Sequence, residues 1–263
     1  MSDQTTADTG EPELVVSTHG EILLLEINRP GQRNAMTRDV AEAVDDALSR
    51  LDADGALRVA ILTGRGGTFC AGMDLKRHAA GERAATAVRG FGGIVEAPPG
   101  KPVIAAVEGW ALGGGFEIVL ACDLVVAGAS ARFGLPEVKR GLLARGGGMF
   151  RLPRRVPQAI ALELLLTGDP IGTERANALG LLNNVVPDGQ AVESAFALAR
   201  RIVGNAPLSV AASKAIALAS ADWPLTEAFE RQRAFSDPVF GSADAKEGAR
   251  AFAEKRPPVW QGR

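Results

Sequence analysis

Histidine, cysteine, net charge and long apolar runs are all scarce in this sequence, and each shortage closes off a class of function. Only two histidines occur in 263 residues, His19 and His78, and neither belongs to a Cys/His cluster with ligand spacing. A metal site is therefore not expected, and catalysis by a histidine base is poorly supported. The two cysteines, Cys70 and Cys122, are too few for a disulfide scaffold and sit in apolar or glycine-rich surroundings; reduced, buried thiols are expected. A formal net charge of -2 gives no footprint for non-specific nucleic-acid binding. No apolar run approaches the roughly 20 residues that a bilayer requires. The polar, acidic stretch Met1–Glu13 has neither the apolar segment of a secretory signal nor the Arg-rich character of a transit peptide. Residues 1–12 are expected to be a disordered lead-in, and the protein to be cytoplasmic.

What remains is an ordinary globular composition, 46% hydrophobic and 23% charged, with 31 glycines, many of them clustered. Leu14–Val16 and Glu21–Ile27 read as two strands joined near Gly20. Thr37 caps a helical period from Arg38 to Leu51. Val59–Thr63, Val103–Val107 and Leu124–Ala127 are continuous apolar runs, the pattern of strands buried by helices on both faces, so the class is α/β. The stretch from Asp74 to Glu96, rich in Ala and Gly, predicts weak helix and mobility. From Gly146 onward the pattern is nearly all helix, with Pro153, Pro170, Pro187, Pro207, Pro224 and Pro238 read as breaks between helices. The last two helices are expected from about Pro224 to Ser236 and from Ala243 to Lys255.

Three segments could carry chemistry. Phe69-Cys70-Ala71-Gly72-Met73-Asp74 follows a buried strand. Its small residues let the backbone approach a ligand and could aim the Met73 N–H into a cavity, although the pattern also suits an ordinary turn. Gly113-Gly114-Gly115 opens a helix and exposes amides at the positive end of its dipole, a site for phosphate or for a thioester oxyanion, or equally a close helix–strand crossing. Neither the dinucleotide fingerprint nor a P-loop fits it. Glu117 lies just inside that helix among Phe116, Ile118, Val119 and Leu120, where a carboxylate costs energy unless it has a partner or a task. Glu137 follows Phe133-Gly134-Leu135-Pro136; alone it also reads as a solvated loop acid.

Taken in order, these motifs resemble the crotonase superfamily, the enoyl-CoA hydratase/isomerase proteins, from about Leu14 to Arg256. Asn28-Arg29-Pro30 with Arg33-Asn34-Ala35-Met36 looks like the family's first coenzyme A loop. The Phe69–Asp74 segment and the triple glycine look like the sources of the two oxyanion donors. Gly146-Gly147-Gly148 with Arg151-Leu152-Pro153 resembles the segment after the second glutamate. Ala251-Phe252-Ala253-Glu254-Lys255-Arg256 is similar to the closing helix, whose Phe and Lys often serve a neighbouring subunit. Ala144-Arg145 departs from the Pro-Gly of many family hydratases and adds a charge near the second glutamate.

The resemblance implies a spiral of strand-strand-helix units over residues 13–200 carrying the acyl-CoA site, and a helical trimerisation region over 201–263. It implies Glu117 and Glu137 as catalytic acid–base groups, with the backbone N–H of Met73 and of Gly114 as oxyanion hole. Arg33, Ala35, Ala71, Asp74, Leu75, Phe252 and Lys255 are implied as coenzyme A contacts. No cofactor is expected beyond the coenzyme A moiety of the substrate. The expected partners are an acyl-CoA and other copies of the chain, as a homotrimer or a dimer of trimers, with no nucleic acid and no membrane. The implied reaction is reversible hydration of a 2-enoyl-CoA. Isomerisation, carnitinyl-CoA-type dehydration, other acyl-CoA chemistry, non-catalytic acyl-CoA binding and RNA binding stand as alternatives.

Overall fold

A computed structural model describes residues 11–263; of the expected lead-in, residues 1–10 lie outside the described part. The first unit is the hairpin β1 (Leu14–His19) and β2 (Ile22–Ile27), followed by α1 (Arg38–Ala53). The Thr37 side chain accepts from Val40 N–H, capping α1, whose Val40, Ala41, Val44, Leu48 and Leu51 face the core. Next come β3 (Val59–Gly64), the short α2 (Leu75–Ala79) and a small hairpin, β4 (Ala85–Thr86) and β5 (Gly90–Phe91). Two further units follow: β6 (Val103–Val107), β7 (Trp110–Leu112) and α3 (Gly114–Ala121), then β8 (Leu124–Gly128), β9 (Arg132–Gly134) and α4 (Gly148–Arg155). The chain continues through α5 (Gln158–Thr167), β10 (Ile171–Gly172), α6 (Thr173–Ala178), β11 (Asn184–Val186), α7 (Ala191–Val203), α8 (Pro207–Ala219), α9 (Leu225–Phe240) and α10 (Ala243–Glu254).

In the later units the first strand joins a large sheet and the second a small one. The six-stranded sheet has the order β1-β2-β3-β6-β8-β11, parallel except for the first hairpin, and the three-stranded sheet has the order β10-β9-β7. Alternation along the buried strands divides the core. Leu23, Leu25, Ala60, Leu62 and Ala105 face α1 and α3, whereas Leu24, Ile61, Ile104 and Ala106 face Ala191, Ala195 and Ala199 of α7. The apolar runs are continuous because both faces of the sheet are covered. Lys214 fastens α8 to the core, donating to Pro99 O, Lys101 O and Asp123 Oδ2 at 2.8, 2.9 and 2.7 Å. No single helix among the described residues is long and apolar enough to cross a membrane.

Two local expectations need correction. Pro153 and Pro238 do not separate helices; they lie inside α4 and α9. Each removes a single backbone donor, in a short helix or in its last turn, where packing compensates the loss. The stretch after Asp74 is also less helical than expected. Beyond α2 it forms a hairpin and turns, pinned by Arg89, whose guanidinium reaches Asp45, Ala97 O and Asp52 from a site only 8% exposed.

Candidate active site

The turn 71–74 is held from both sides. Cys70 N–H donates to Trp110 O and its carbonyl accepts from Leu112 N–H, each at 3.0 Å, which docks the segment on β7. Opposite, Ala71 N–H donates to Arg33 O at 3.0 Å, Met36 N–H to Gly72 O at 2.8 Å and Asp74 N–H to Met36 O at 3.0 Å. Gly72 N–H faces Cys70 Sγ at 3.4 Å. Of the amides from Cys70 to Asp74, only that of Met73 then has no acceptor among the described residues. Gly113 N–H donates to Gly134 O at 2.8 Å, and the next amide, Gly114, opens α3 and also has no acceptor among the described residues. The two free amides are close neighbours: a methyl placed on Gly72 would lie 3.3 Å from Gly114 N and 2.8 Å from Leu112 O. Paired N–H groups at the positive end of a helix suit an oxygen that gains negative charge.

Glu117 sits one turn into α3 and is 4% exposed. Its Oε1 accepts from Gly148 N–H at 2.9 Å. The loop closes over it because position 146 has no side chain; a methyl there would lie 2.7 Å from Glu117 Oε2. Burial pushes the Glu117 carboxyl up to about 7; the Gly148 N–H opposes that rise, the Glu137 charge adds to it, and Arg151 opposes it. Glu137 begins the 3-10 turn Pro136–Arg140. Its Oε2 is buried with no hydrogen-bond partner among the described residues, and a methyl on Gly113 would lie 3.1 Å from its Oε1. Burial raises this carboxyl as well. Two carboxyl groups, both lifted toward neutrality, thus lie within electrostatic reach of one another, Glu137 against Gly113 and Glu117 under the 146–148 loop, an arrangement suited to passing protons. Both cysteines are buried, and burial pushes each thiol up to about 12, which leaves them unreactive.

Of the residues expected to contact coenzyme A, Arg33, Ala35, Ala71, Asp74 and Leu75 come together through the bonds joining loop 33–36 to turn 71–74. The Asp74 carboxylate is occupied: it caps α2 through Lys76 and Arg77 N–H and pairs with Arg29 at 3.1 Å. Phe252, 87% exposed, and Lys255 lie at the end of α10, which packs on α9, and no hydrogen bond joins them to these loops. Within one chain the structure does not bring them to the glutamates.

Sequence reasoning placed three residues that build the site only inside longer motifs, with no individual role. Asn34 is fully buried in a left-handed conformation, φ 55°, and its side chain accepts from Arg29 N–H and donates to Arg65 O and Thr68 O. Arg29 ties Ala35 O to Asp74. Gly148 supplies the amide that holds Glu117. Asn34 was the most discoverable, since Asn tolerates left-handed backbone in a turn beside Pro and Gly.

Comparison with known proteins identifies the family. The family model described as Enoyl-CoA hydratase/isomerase matches residues 17–263. The crystal structure of enoyl-CoA hydratase EchA1 from Mycobacterium marinum is 54% identical and superposes with a TM-score of 0.94, over 96% of this chain and 100% of that one. Enoyl-CoA hydratase EchA19 of Mycobacterium tuberculosis is 43% identical over 98% of this chain and 99% of its own length. Carnitinyl-CoA dehydratase of Salmonella typhi is 42% identical over 95% and 98% of the two chains. By these matches over nearly its whole length, the chain belongs to the enoyl-CoA hydratase/isomerase family, on its hydratase-type hydro-lyase side.

Proposed function

We propose that this protein adds water reversibly across the double bond of a 2-enoyl-CoA. The observation that carries the reading is a pair of carboxyl groups raised by burial, one against Gly113 and the other one turn into the helix that Gly114 opens, together with the unpaired Met73 and Gly114 amides. The thioester oxygen accepts hydrogen bonds from Met73 and Gly114 N–H. Ionised Glu117 takes a proton from water, whose oxygen attacks C3. The double-bond electrons move to the thioester oxygen as an enolate, which the two amides stabilise. Glu137 then delivers a proton to C2, and the C–O bond formed at C3 completes the 3-hydroxyacyl product. The Glu137 charge adds to the rise of the Glu117 carboxyl. The chemistry needs no group beyond the substrate's own coenzyme A.

Charge near the site favours an uncharged acyl group over a trimethylammonium-bearing one such as carnitinyl-CoA. Between Glu137 and Glu163 there is no acidic residue, while Arg140, Arg145 and Arg151 all fall in that stretch. Arg140 is close enough to act on the Glu137 carboxyl, and Arg151 on that of Glu117. A quaternary ammonium is ordinarily held by aromatic faces or acids, not by guanidinium groups. Crotonyl-CoA is expected to lose its enoyl absorbance with a kcat/KM at least about tenfold above that of its 4-trimethylammonio counterpart, a difference of roughly 1.4 kcal/mol. Equal or faster turnover of the cationic substrate would reverse the assignment. Binding of both thioesters without turnover would make the protein a binding member instead.

The same reading extends to assembly. Leu225, Phe229, Phe240 and Phe252 of the last helices are between 72% and 87% exposed, more apolar surface than a lone chain ordinarily shows. Phe252 and Lys255 meet coenzyme A only if another copy supplies or receives them. Light scattering is expected to give a trimer or a dimer of trimers, and a monomeric mass at working concentration would refute this.

A further inference from the structure

We propose that Arg151 is a positioning residue for Glu117: its guanidinium clamps the loop on which that carboxylate rests and sets a fixed positive charge behind it. The clamp is visible in the hydrogen bonds. Arg151 N–H donates to Gly147 O at 2.8 Å in the first turn of α4, and its side chain folds back over that turn. Nη1 donates to Gly146 O at 3.3 Å and Nη2 to Val95 O at 2.6 Å. One guanidinium therefore joins two segments far apart in the sequence: the 146–148 loop, and the turn after the β4–β5 hairpin. The neighbouring peptides of that loop face the other way, onto Glu117, through Gly148 N–H and the bare Cα of Gly146. A loop released from Arg151 would withdraw the Gly148 amide from the carboxylate.

The fit around the guanidinium is close. The Phe150 ring covers it, with Cζ 5.3 Å from the ring centroid. A methyl on Gly147 would collide with Nη1. The electrostatic link runs in both directions: Arg151 favours the ionised form of Glu117, and Glu117 supports the charged form of Arg151 against the burial that lowers it. The charges facing Glu117 come from two elements, Glu137 from the Pro136–Arg140 turn and Arg151 from α4. Strand β7, also packed on α3, carries no titratable residue. Arg154 and Arg155 are engaged elsewhere, with Asp222 and with Cys122 O.

The inference rests on Glu117 being the base of the proposed reaction, so its test includes a readout independent of turnover. Glutamate carboxyl carbons labelled with carbon-13 are titrated by NMR in wild type, Arg151→Gln and Arg151→Lys, with Glu117→Gln assigning the resonance. Arg151→Gln is expected to move the Glu117 midpoint up, because a stabilising cation is gone and the loop carrying the Gly148 N–H is released. The acid limb of its kcat/KM profile should move by the same amount. Arg151→Lys keeps the charge and loses the two-carbonyl grip. Its midpoint should rise less than that of Arg151→Gln, because the Gly148 N–H is withdrawn but the charge remains, while kcat falls about tenfold and KM changes little. An unmoved midpoint in folded Arg151→Gln overturns the proposal. If Arg151→Gln does not fold, Arg151→Lys decides, and wild-type rate together with wild-type titration overturns it. A shifted midpoint in a protein that hydrates no enoyl-CoA would sink the reaction and leave the role of Arg151 standing.

Discussion

Replacing Glu117 with Gln is expected to lower kcat for hydration by about a thousandfold, within the roughly 10²–10⁴ that a positioned acid–base group contributes. The amide matches the carboxylate in size and can still accept the Gly148 N–H at the position of Oε1. What it loses is the ability to take a proton from water. Glu137→Gln should fall by a similar factor for the complementary reason, because an amide cannot supply the proton at C2. In both variants calorimetric binding of a saturated acyl-CoA should survive, since neither side chain belongs to loop 33–36 or turn 71–74. Full activity in either variant would refute the assignment of both acids. Acid–base linkage adds a signature. The Glu117 carboxyl titrates at about 7 in the fold, so the base is lost as pH falls below neutrality and kcat/KM should fall with it. For stability the sign is opposite. The fold favours the protonated form, so this group's contribution is fully present below about pH 4.5 and is lost as pH rises through 7. That amounts to about 3 kcal/mol at most, at roughly 1.4 kcal/mol per unit. Thermal unfolding at pH 8 should therefore find Glu117→Gln more stable than wild type, with the gap closing toward pH 4.5.

Gly72→Ala tests the other half of the site. Gly72 has φ +96°, a conformation an alanine adopts only under strain, and its added methyl would lie 2.8 Å from Leu112 O and 3.3 Å from Gly114 N. Both neighbours are backbone, so neither can rotate away. The strain is relieved by separation of turn 71–74 from the start of α3, which moves the Met73 and Gly114 amides apart. A donor withdrawn from an oxyanion costs about 10²–10³ in rate, and that drop is expected in kcat with a smaller change in KM. Circular dichroism and the thermal midpoint would establish that the variant is folded. A folded Gly72→Ala with wild-type kcat would show that the two amides do not act together.

Much of this was readable from residue order. The parallel sheet showed as continuous apolar runs because both of its faces are covered. Helix α1 showed through Thr37 and a clean helical period. Glu117 stood out as an acid in an apolar helix, a placement that burial energetics penalise. What escaped were devices whose partners are distant in sequence. Arg89 looks like any surface charge until the fold sets Asp45 and Asp52 beside it. Pro153 reads as a helix end because a local rule cannot see the packing that tolerates it. The half-buried Glu137 side chain lies against Gly113, twenty-odd residues earlier, so the alternative of a solvated loop acid could be set aside only once the two were seen to meet. Arg151 was visible only as part of a motif, and its grip on Val95 O could not be read from spacing.

The order of the large sheet also bears on how the chain reaches its native state. Ile61 pairs with Ile104, and Val126 with Asn184, so no parallel neighbour can be closed by a tight turn and each must await a long intervening segment. Non-local pairings of this kind slow folding, because loop entropy is spent before any contact returns it. During synthesis the apolar strands 59–64 and 103–107 emerge well before α7, the helix that shields one side of them. Until then one face of them, with Ile61, Ile104 and Ala106, is open apolar surface of the sort that recruits other chains.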